Sequence, residues 1–343
     1  MKRPTIADIA RRAGVTKSAV SFALNGRPGV SQTTRARILA IAEELGWQPS
    51  SAARALSDGR AGALGLVVDR PARTLGIEPY FTQLISGIEG ELAAHDVALL
   101  LQLTADRAAQ LGSYRRWWAE RRVDGVFLVD LQVDDARIEL LKELGMPAIV
   151  VGGPRGLAGL PGVWNDEAGA VRAVVEYLAA LGHRRIARVA GPPELWHTAM
   201  RTEVFEGRAA ELGLSPVTMP TDYTGEQGAR ATRSLVASAE PPTAIVYDND
   251  VMALAGLSVA AEMGVAVPER LSLVAWDDSV LCQLVHPPLT AVSLDIAGYG
   301  AMVARLLLDQ IAGAAPESGC HATPVLVPRG STAPPRDRSL RDR

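Results

Sequence analysis

Two short helical patterns separated by a Gly–Val break open this chain, and they constrain its fold more than any later stretch. In Thr5–Asn25, TIADIARRAGVTKSAVSFALN, the residues Ile6, Ile9 and Ala10 fall at i, i+3, i+4 spacing before Gly14-Val15 interrupt the pattern. A second run follows at once, Thr16 to Leu24. It puts Lys17, Ser18, Ser21, Phe22 and Asn25 on one face and Val20, Ala23 and Leu24 towards the other. Two helices joined by a tight glycine-containing turn suit either a helix-turn-helix that reads DNA or a plain helical hairpin in a small bundle. A third helix is expected from Ser31 as N-cap, with Ile38, Ile41, Ala42 and Leu45 as its apolar stripe and Gly46 at its end.

Charge favours the first reading. Residues 1–60 carry ten Lys/Arg and four Asp/Glu, a net of +6, whereas the other 283 residues carry 25 and 34, a net of −9. A basic head on an acidic body directs the head towards a polyanion. The hydroxyls and amides of Thr5, Thr16, Ser21, Asn25, Ser31 and Thr34 sit near helix starts, where such groups cap the helix or donate to phosphate. Pro49 to Gly59 then reads as a short helix-prone linker whose one sizeable apolar residue is Leu56. It is either a plain linker or a hinge that folds against a partner copy and DNA, with Leu56 as a minor-groove wedge.

From Ala63 the texture changes to short apolar runs (63–68, 97–103, 125–130, 148–153, 185–191, 243–247, 271–276) alternating with helical patterns (81–95, 106–121, 135–145, 167–181, 198–212, 228–239, 250–263, 297–312). This alternation predicts parallel sheets covered by helices, and a body this long suits two α/β lobes. Ligands of such sheets bind outside the carboxyl ends of the strands. That singles out Tyr80, Phe81, Asp130, Trp164, Tyr223, Asp248-Asn249-Asp250 and Asp277-Asp278.

Other classes fit poorly. No run approaches about 18 apolar residues, and MKRPTIAD has no apolar signal core, so a cytoplasmic protein that neither crosses nor binds a membrane is expected. The two cysteines, Cys282 and Cys320, are expected as free thiols. The histidines 95, 183, 197, 286 and 321 lack metal-ligand spacing, and no P-loop, G-x-S-x-G or strand-following G-x-G-x-x-G occurs. No metal, no cofactor and no enzymatic activity are expected.

Taken in order, TIADIARRAGVTKSAVSFALNG, VSQTTRARI, W47QPSSAARAL, D166EAG, LGHRRIARVAGPP (181–193), NDVMALAGL (249–257), V267PERLSLVAWDD and HPPLTAV (286–292) resemble the LacI/GalR (lactose/galactose-repressor) family of transcriptional regulators. The resemblance runs from Thr5 to about Arg329. It implies an all-α helix-turn-helix domain over 1–47, a hinge over 48–61 and an α/β effector-binding body like periplasmic binding proteins over 62–330. Three crossings near 163, 292 and 325 would divide that body into lobe one, 62–163 with 293–330, and lobe two, 164–292. The Pro/Arg/Asp-rich end, 331–343, is expected to be a disordered tail without the apolar heptads of a tetramer, leaving a homodimer on a pseudo-palindromic operator.

Carried over residue by residue, the resemblance implies phosphate anchors at Thr5, Thr16, Ser21, Asn25, Ser31 and Thr34 and base-reading positions at Lys17, Ser18 and Phe22. In the hinge it implies groove contacts at Ser50 and Ala53 and the wedge at Leu56. Many members carry arginine where this chain has Phe22, and Ser50 replaces a usual asparagine, so operator preference should differ there. In the body the resemblance implies a clamping Arg201, a ligand carboxylate at Asp277, aromatic faces at Trp164 and Tyr223 and an amide at Asn249. His197, Gly152-Gly153, Val204 and Leu294 depart from common family residues, and Asp130 is expected to supply a compensating acceptor. The ligand is then a small molecule, expected to be a mono- or oligosaccharide that releases DNA. The alternatives are a ligand that strengthens DNA binding, or a sugar receptor or enzyme on the same lobes.

Overall fold

The computed structural model describes residues 4–47, 59–70, 75–154 and 157–335. The expected hinge contacts Ser50, Ala53 and Leu56 lie outside the described residues. The chain divides into two compact units, 1–61 and 62–343.

The first unit holds three helices, α1 (Ile6–Ala13), α2 (Lys17–Leu24) and α3 (Gln32–Glu44). Each starts where a short polar side chain meets the free amides of a first turn. The Asp8 carboxylate accepts from the Thr5 amide (2.9 Å) and hydroxyl (2.7 Å), Thr16 Oγ1 accepts from the Ala19 amide (3.1 Å), and Ser31 Oγ accepts from that of Thr34 (3.3 Å). Gly14 ends α1 with φ of +66°. The three stripes close on Ile9, Ala10, Ala13, Val20, Ala23, Ile38 and Ala42. The pattern read from Ile6 to Leu45 is therefore the core of this unit.

The second unit is built on two six-stranded sheets. Sheet one contains β1 (Ala63–Val68), β2 (Ala98–Leu103), β3 (Gly125–Leu128), β4 (Ala148–Val151), β5 (Gly162–Trp164) and β11 (Gly319–Cys320), all parallel, in the order β2-β1-β3-β4-β5-β11. Sheet two contains β6 (Arg185–Ala190), β7 (Ser215–Pro220), β8 (Ala244–Tyr247), β9 (Ser272–Trp276), β10 (Thr290–Ser293) and β12 (Val325–Val327), in the order β7-β6-β8-β9-β10-β12. Only β12 runs antiparallel, against β10. The period of two along a strand sends alternate side chains to opposite layers. In β1, Leu64, Leu66 and Val68 join the core under α4 (Pro79–Ala93) and α12 (Ile296–Ile311), while Val67 faces α5 (Arg107–Ala119) and α6 (Ala136–Leu144). In β8, Ile245 and Tyr247 pack under α9 (Gly225–Val236) and α10 (Asp250–Glu262), while Ala244 and Val246 face α7 (Glu167–Ala180) and α8 (Trp196–Glu211).

This is the expected fold class, and the apolar runs are its central strands. The helical patterns correspond to helices within a few residues. β7 was not legible because Ser-Pro-Val-Thr-Met-Pro has the wrong residues for a central strand, and it lies at a sheet edge, where proline is tolerated.

Two boundaries need correction. Residues 325–330, expected in lobe one, belong with sheet two: β12 pairs with β10, and the Arg329 guanidinium bonds both Asp278 carboxylate oxygens at 2.8 and 2.7 Å. The segment from 331, expected as a disordered tail, begins as a docked strap. Ser331 is fully buried, its Oγ accepting from the Thr290 amide (2.8 Å) and donating to Leu273 O (2.6 Å). Ala333 bonds Ser272 in both directions. A hydroxyl and a backbone edge that complete a sheet leave no apolar signature in sequence.

Both cysteines are free, as expected. Among the described residues no helix is long and apolar enough to cross a membrane.

The α4–α12 crossing is closed by two glycines. A Cβ at Gly300 would lie 2.4 Å from Leu84 O, and one at Gly87 would lie 1.9 Å from Ala297 O. Gly300→Ala should therefore force the helices apart and destabilise the body by about 1–3 kcal/mol. A thermal melt should show it as a lowered midpoint, whereas an unchanged midpoint would mean that the crossing yields without strain.

Candidate effector cleft and DNA-reading face

The carboxyl ends of both sheets open onto one cavity of about 850 Å³. All nine residues expected at an effector site line it: Tyr80, Phe81, Asp130, Trp164, His197, Arg201, Tyr223, Asn249 and Asp277. They arrive on segments that follow β1, β3, β5, β6, β7, β8 and β9, so both lobes contribute. Three of them, Asp130 (φ +51°), Tyr223 (+67°) and Asp277 (+67°), adopt left-handed backbone conformations although none is glycine. Such conformations cost about 1–3 kcal/mol each and persist where surrounding structure imposes them, often at functional sites.

The cavity's two buried guanidiniums are held by carboxylates. Arg201 donates Nε and Nη2 to the two oxygens of Glu167, both at 2.9 Å, and its Cζ lies 4.2 Å from the Trp276 ring centroid. Its Nη1 makes no hydrogen bond to the described residues. Burial would lower the Arg201 pKa, but Glu167 outweighs it and holds the group firmly charged. Arg70, at the end of β1, is doubly paired. Its Nε and Nη2 reach Asp130 at 3.0 and 3.3 Å, and Nη1 reaches both oxygens of Glu78 at 3.2 and 3.1 Å. The Arg70 Cζ also lies 5.1 Å from the Phe81 ring centroid and 4.9 Å from that of Tyr223, the latter on the opposite lobe.

Burial alone would push the Asp130 carboxyl up, yet the charge and hydrogen bonds of Arg70 hold it below its usual range. Glu78 is pushed up to about 7, first by burial, with Asp130 and Asp250 adding to it against Arg70. Asp277 lies well above the carboxylate range, from desolvation first and from Asp250 second.

The uncharged groups are equally ordered. Tyr223 OH lies 2.7 Å from His197 Nε2 and 3.0 Å from Thr198 Oγ1. The His197 and Tyr223 rings stack 20° from parallel. Burial, then the Arg201 charge, lowers the His197 pKa, which keeps the imidazole neutral. Gly191 makes room for this arrangement, since a Cβ there would lie 2.0 Å from Tyr223 Cζ. Across the cavity mouth the lobes touch through main chain: Trp196 N donates to Leu131 O (2.8 Å) and Val133 N to Glu194 O (3.1 Å).

Two expected roles change. Asn249 has its amide engaged, with Oδ1 accepting from the Met252 amide (2.8 Å) as the cap of α10 and Nδ2 donating to Tyr223 O (3.0 Å). It holds Tyr223 in place, with one Oδ1 lone pair and one amide hydrogen already used. Asp130, expected as a free acceptor, has both oxygens on Arg70. Asp277 keeps its side chain free of hydrogen bonds to the described residues. Sequence reasoning missed Arg70, Glu78, Glu167 and Trp276. Arg70 and Trp276 occupy the same end-of-strand positions as Asp130 and Asp277, so the strand-end rule could have found two of the four, and the D166EAG block could have found Glu167.

In the first unit, Lys17, Ser18, Phe22 and Asn25 lie exposed on one face of α2, with Ser21 half-buried beside them, while Val20 and Ala23 are buried. Phe22 is 38% exposed, so it is not a core residue, and its ring covers the turn at Gly29. Thr5, Thr16 and Ser31 are N-caps, and Ser31 Oγ also donates to Thr34 Oγ1 at 2.9 Å.

A helix-turn-helix unit joined to a two-lobed α/β body with a polar, aromatic-walled cleft defines a ligand-responsive transcription regulator. The comparisons agree. Residues 5–50 match the model of bacterial regulatory proteins of the lacI family, and residues 175–332 match the periplasmic binding protein-like domain. The chain is 33% identical to the HTH-type transcriptional regulator AglR of Rhizobium meliloti (strain 1021), over 96% of this chain and 95% of AglR. Among solved structures, a LacI family transcriptional regulator from Bifidobacterium animalis subsp. lactis DSM 10140 is 40% identical, with a TM-score of 0.75, covering 81% of this chain and all of that one. A transcriptional regulator CelR–cellobiose complex is 30% identical, with a TM-score of 0.73, covering 96% of this chain and all of that one. This chain belongs to the LacI family of HTH-type transcriptional regulators.

The raised Glu78 pKa has a testable sign. Between its ordinary value of 4.5 and about 7 the folded state holds a proton that the unfolded state has lost. Its contribution to stability therefore falls as pH rises through that window. Relative to Glu78→Gln, the wild type should lose melting temperature between pH 5 and 8, and parallel pH profiles would place the titration elsewhere.

Proposed function

We propose that this protein is a non-enzymatic, cytoplasmic repressor that binds a pseudo-palindromic operator as a homodimer and releases it when a saccharide occupies the cleft. The observation that carries this reading is the convergence of nine ligand-suited side chains from both lobes on one cavity in a chain that also carries a basic helix-turn-helix unit. The exposed face of α2 supplies Lys17, Ser18 and Phe22 to base edges. Thr5, Thr16, Ser21, Asn25, Ser31 and Thr34 anchor phosphates, and Phe22 offers apolar contact, as to a thymine methyl, where an arginine would clasp guanine. Ser50, Ala53 and Leu56 are assigned to the minor groove on the family resemblance, with Leu56 as the wedge.

In the cleft, Asp277 accepts from hydroxyls, Arg201 Nη1 donates to them, and Tyr80, Trp164 and Tyr223 cover the C–H faces of sugar rings. A cellobiose complex of a relative 30% identical to this chain favours the saccharide class. A ligand that contacts both lobes changes the free energy of any rearrangement between them, and that is the quantity an effector must alter.

Two experiments test the reading. With an operator selected from a random duplex library, fluorescence anisotropy should show the effector weakening DNA binding about 5–150-fold, and DNA weakening the effector by the same factor. Operator that leaves effector affinity unchanged would refute the coupling, and Asp277→Ala should abolish the response while operator affinity persists. Leu56→Ala should reduce specific binding by a larger factor than binding to random DNA. Equal losses would remove the wedge from the account.

A further inference from the structure

Charge pairing in the cleft narrows the ligand further, and the argument rests on the saccharide reading above. Seven carboxylates and three guanidiniums line the cavity among the described residues. Glu78, Asp130, Asp166, Glu167, Glu203, Asp248 and Asp277 are the acidic groups, of which burial raises the pKa of Glu78 and Asp277, and Arg70, Arg172 and Arg201 are the cations. Two of these cations are already matched or over-matched. Arg70 serves Asp130 and Glu78 with all three of its nitrogens, and Arg201 is bidentate to Glu167. The Asp248 carboxylate is taken by Arg188, whose Nε lies 2.8 Å from Oδ1, so that guanidinium is matched as well. His197 is neutral.

Helix starts offer no replacement. Asp166 caps α7 by accepting from the Gly169 amide (2.9 Å), Asn249 caps α10, and Glu78 places an anion at the start of α4. Only α8 of these four begins without a polar cap; Glu194 precedes its cap residue Leu195, and the amide of its first residue, Trp196, already donates to Leu131 O. Arg172 makes no ion pair with the described residues, but it stands exposed on α7, where water and salt screen it.

We infer that the cleft selects an uncharged saccharide and rejects its phosphorylated and carboxylated counterparts. A phosphate or uronate entering this cavity loses its hydration and meets the Asp130 carboxylate, held ionised by Arg70, with no buried cation free to receive it. A hydroxyl meets the opposite situation. Arg201 Nη1 is a donor whose charge is already neutralised, and Asp277 is an acceptor without a competing partner. The site therefore presents hydrogen-bonding capacity with its positive charge withdrawn.

The test is a calorimetric panel on the full-length protein with cellobiose, maltose, trehalose and melibiose. Each is paired with its 6-phosphate and with the analogue oxidised to a uronic acid. The neutral sugar that binds most tightly should exceed its phosphate and uronate by about 100-fold or more in affinity. Glu167→Gln should shrink the neutral-to-phosphate ratio about tenfold, because it frees the buried Arg201 charge to receive an anion. A phosphate or uronate that binds as tightly as its parent would overturn the inference while leaving a saccharide effector intact. So would a ratio unchanged in Glu167→Gln, which would mean that shape rather than charge excludes the anion. Failure of every sugar, charged and neutral, would instead refute the saccharide reading itself. Arg172→Ala serves as the control: it should leave the ratio unchanged, and a collapse of phosphate binding in that variant would identify Arg172 as an anion receptor and overturn the inference.

Discussion

A guanidinium buried against aromatic rings must find a carboxylate, and in this protein that requirement organises the cleft. Removing one partner of such a buried pair typically costs about 3–5 kcal/mol, because the remaining charge has lost its water. Arg201 is buried between Glu167 and Trp276, and Arg70 between Asp130, Glu78 and two rings. The pairs fix side chains from β1, β3, α4, α7 and α8 relative to one another, so the walls of the cavity are set before any ligand arrives. Tyr223 is held the same way by neutral partners: Asn249 takes its carbonyl, and His197 and Thr198 take its hydroxyl. The left-handed backbone at Asp130, Tyr223 and Asp277 is the conformational cost of aiming these groups inward, and the ion pairs and hydrogen bonds offset it.

The path of the chain gives the two lobes a shared end. After β10 closes sheet two against β9, α12 returns to pack on α4 and β11 adds to sheet one, and then β12 and the Ser331 strap come back to sheet two. Neither sheet is complete without residues beyond 318, so the lobes do not correspond to separable lengths of sequence. A short antiparallel strand and a buried serine at the end of the body make its last residues part of the core.

How much of this was legible follows from which forces leave a pattern. The helix-turn-helix could be read because Ile9, Val20 and Ile38 must all be apolar and spaced for one small core. The central strands could be read because a strand covered on both faces is a continuous apolar run, as ALGLVV is. The strand-end rule singled out seven of the nine expected cleft residues, and the family resemblance supplied His197 and Arg201; all nine line one cavity. Neither could assign their partners. Asp130 has the same composition whether it faces solvent, a sugar or Arg70, and only the fold brings Arg70 within 3.0 Å. The same holds for Asn249, whose role as a helix cap follows from its position at the start of α10. Pairwise contacts between residues 60 positions apart, such as Arg70 with Asp130, have no local signature.

The contacts that join the lobes have a magnitude suited to regulation. Two main-chain hydrogen bonds link 131–133 to 194–196, and one cation–π contact sets Arg70 over Tyr223. Hydrogen bonds of this kind contribute about 0.5–1.5 kcal/mol net, and a cation–π pair about 0.5–2 kcal/mol. Together they come to about 1.5–5 kcal/mol, the same order as the ~1–3 kcal/mol of a typical allosteric coupling. Trp196 of lobe two also packs against the lobe-one cluster around Tyr114 and Trp117, so a rearrangement of the lobes exchanges a few polar contacts together with the packing of this ring. Arg70 is the residue where the two requirements meet. Its charge must stay paired within lobe one for the cavity to exist, and its face must meet Tyr223 of lobe two for the cavity to be closed. A ligand that inserted between that guanidinium and that ring would change the inter-lobe free energy directly, while Asp130 and Glu78 keep the Arg70 charge paired.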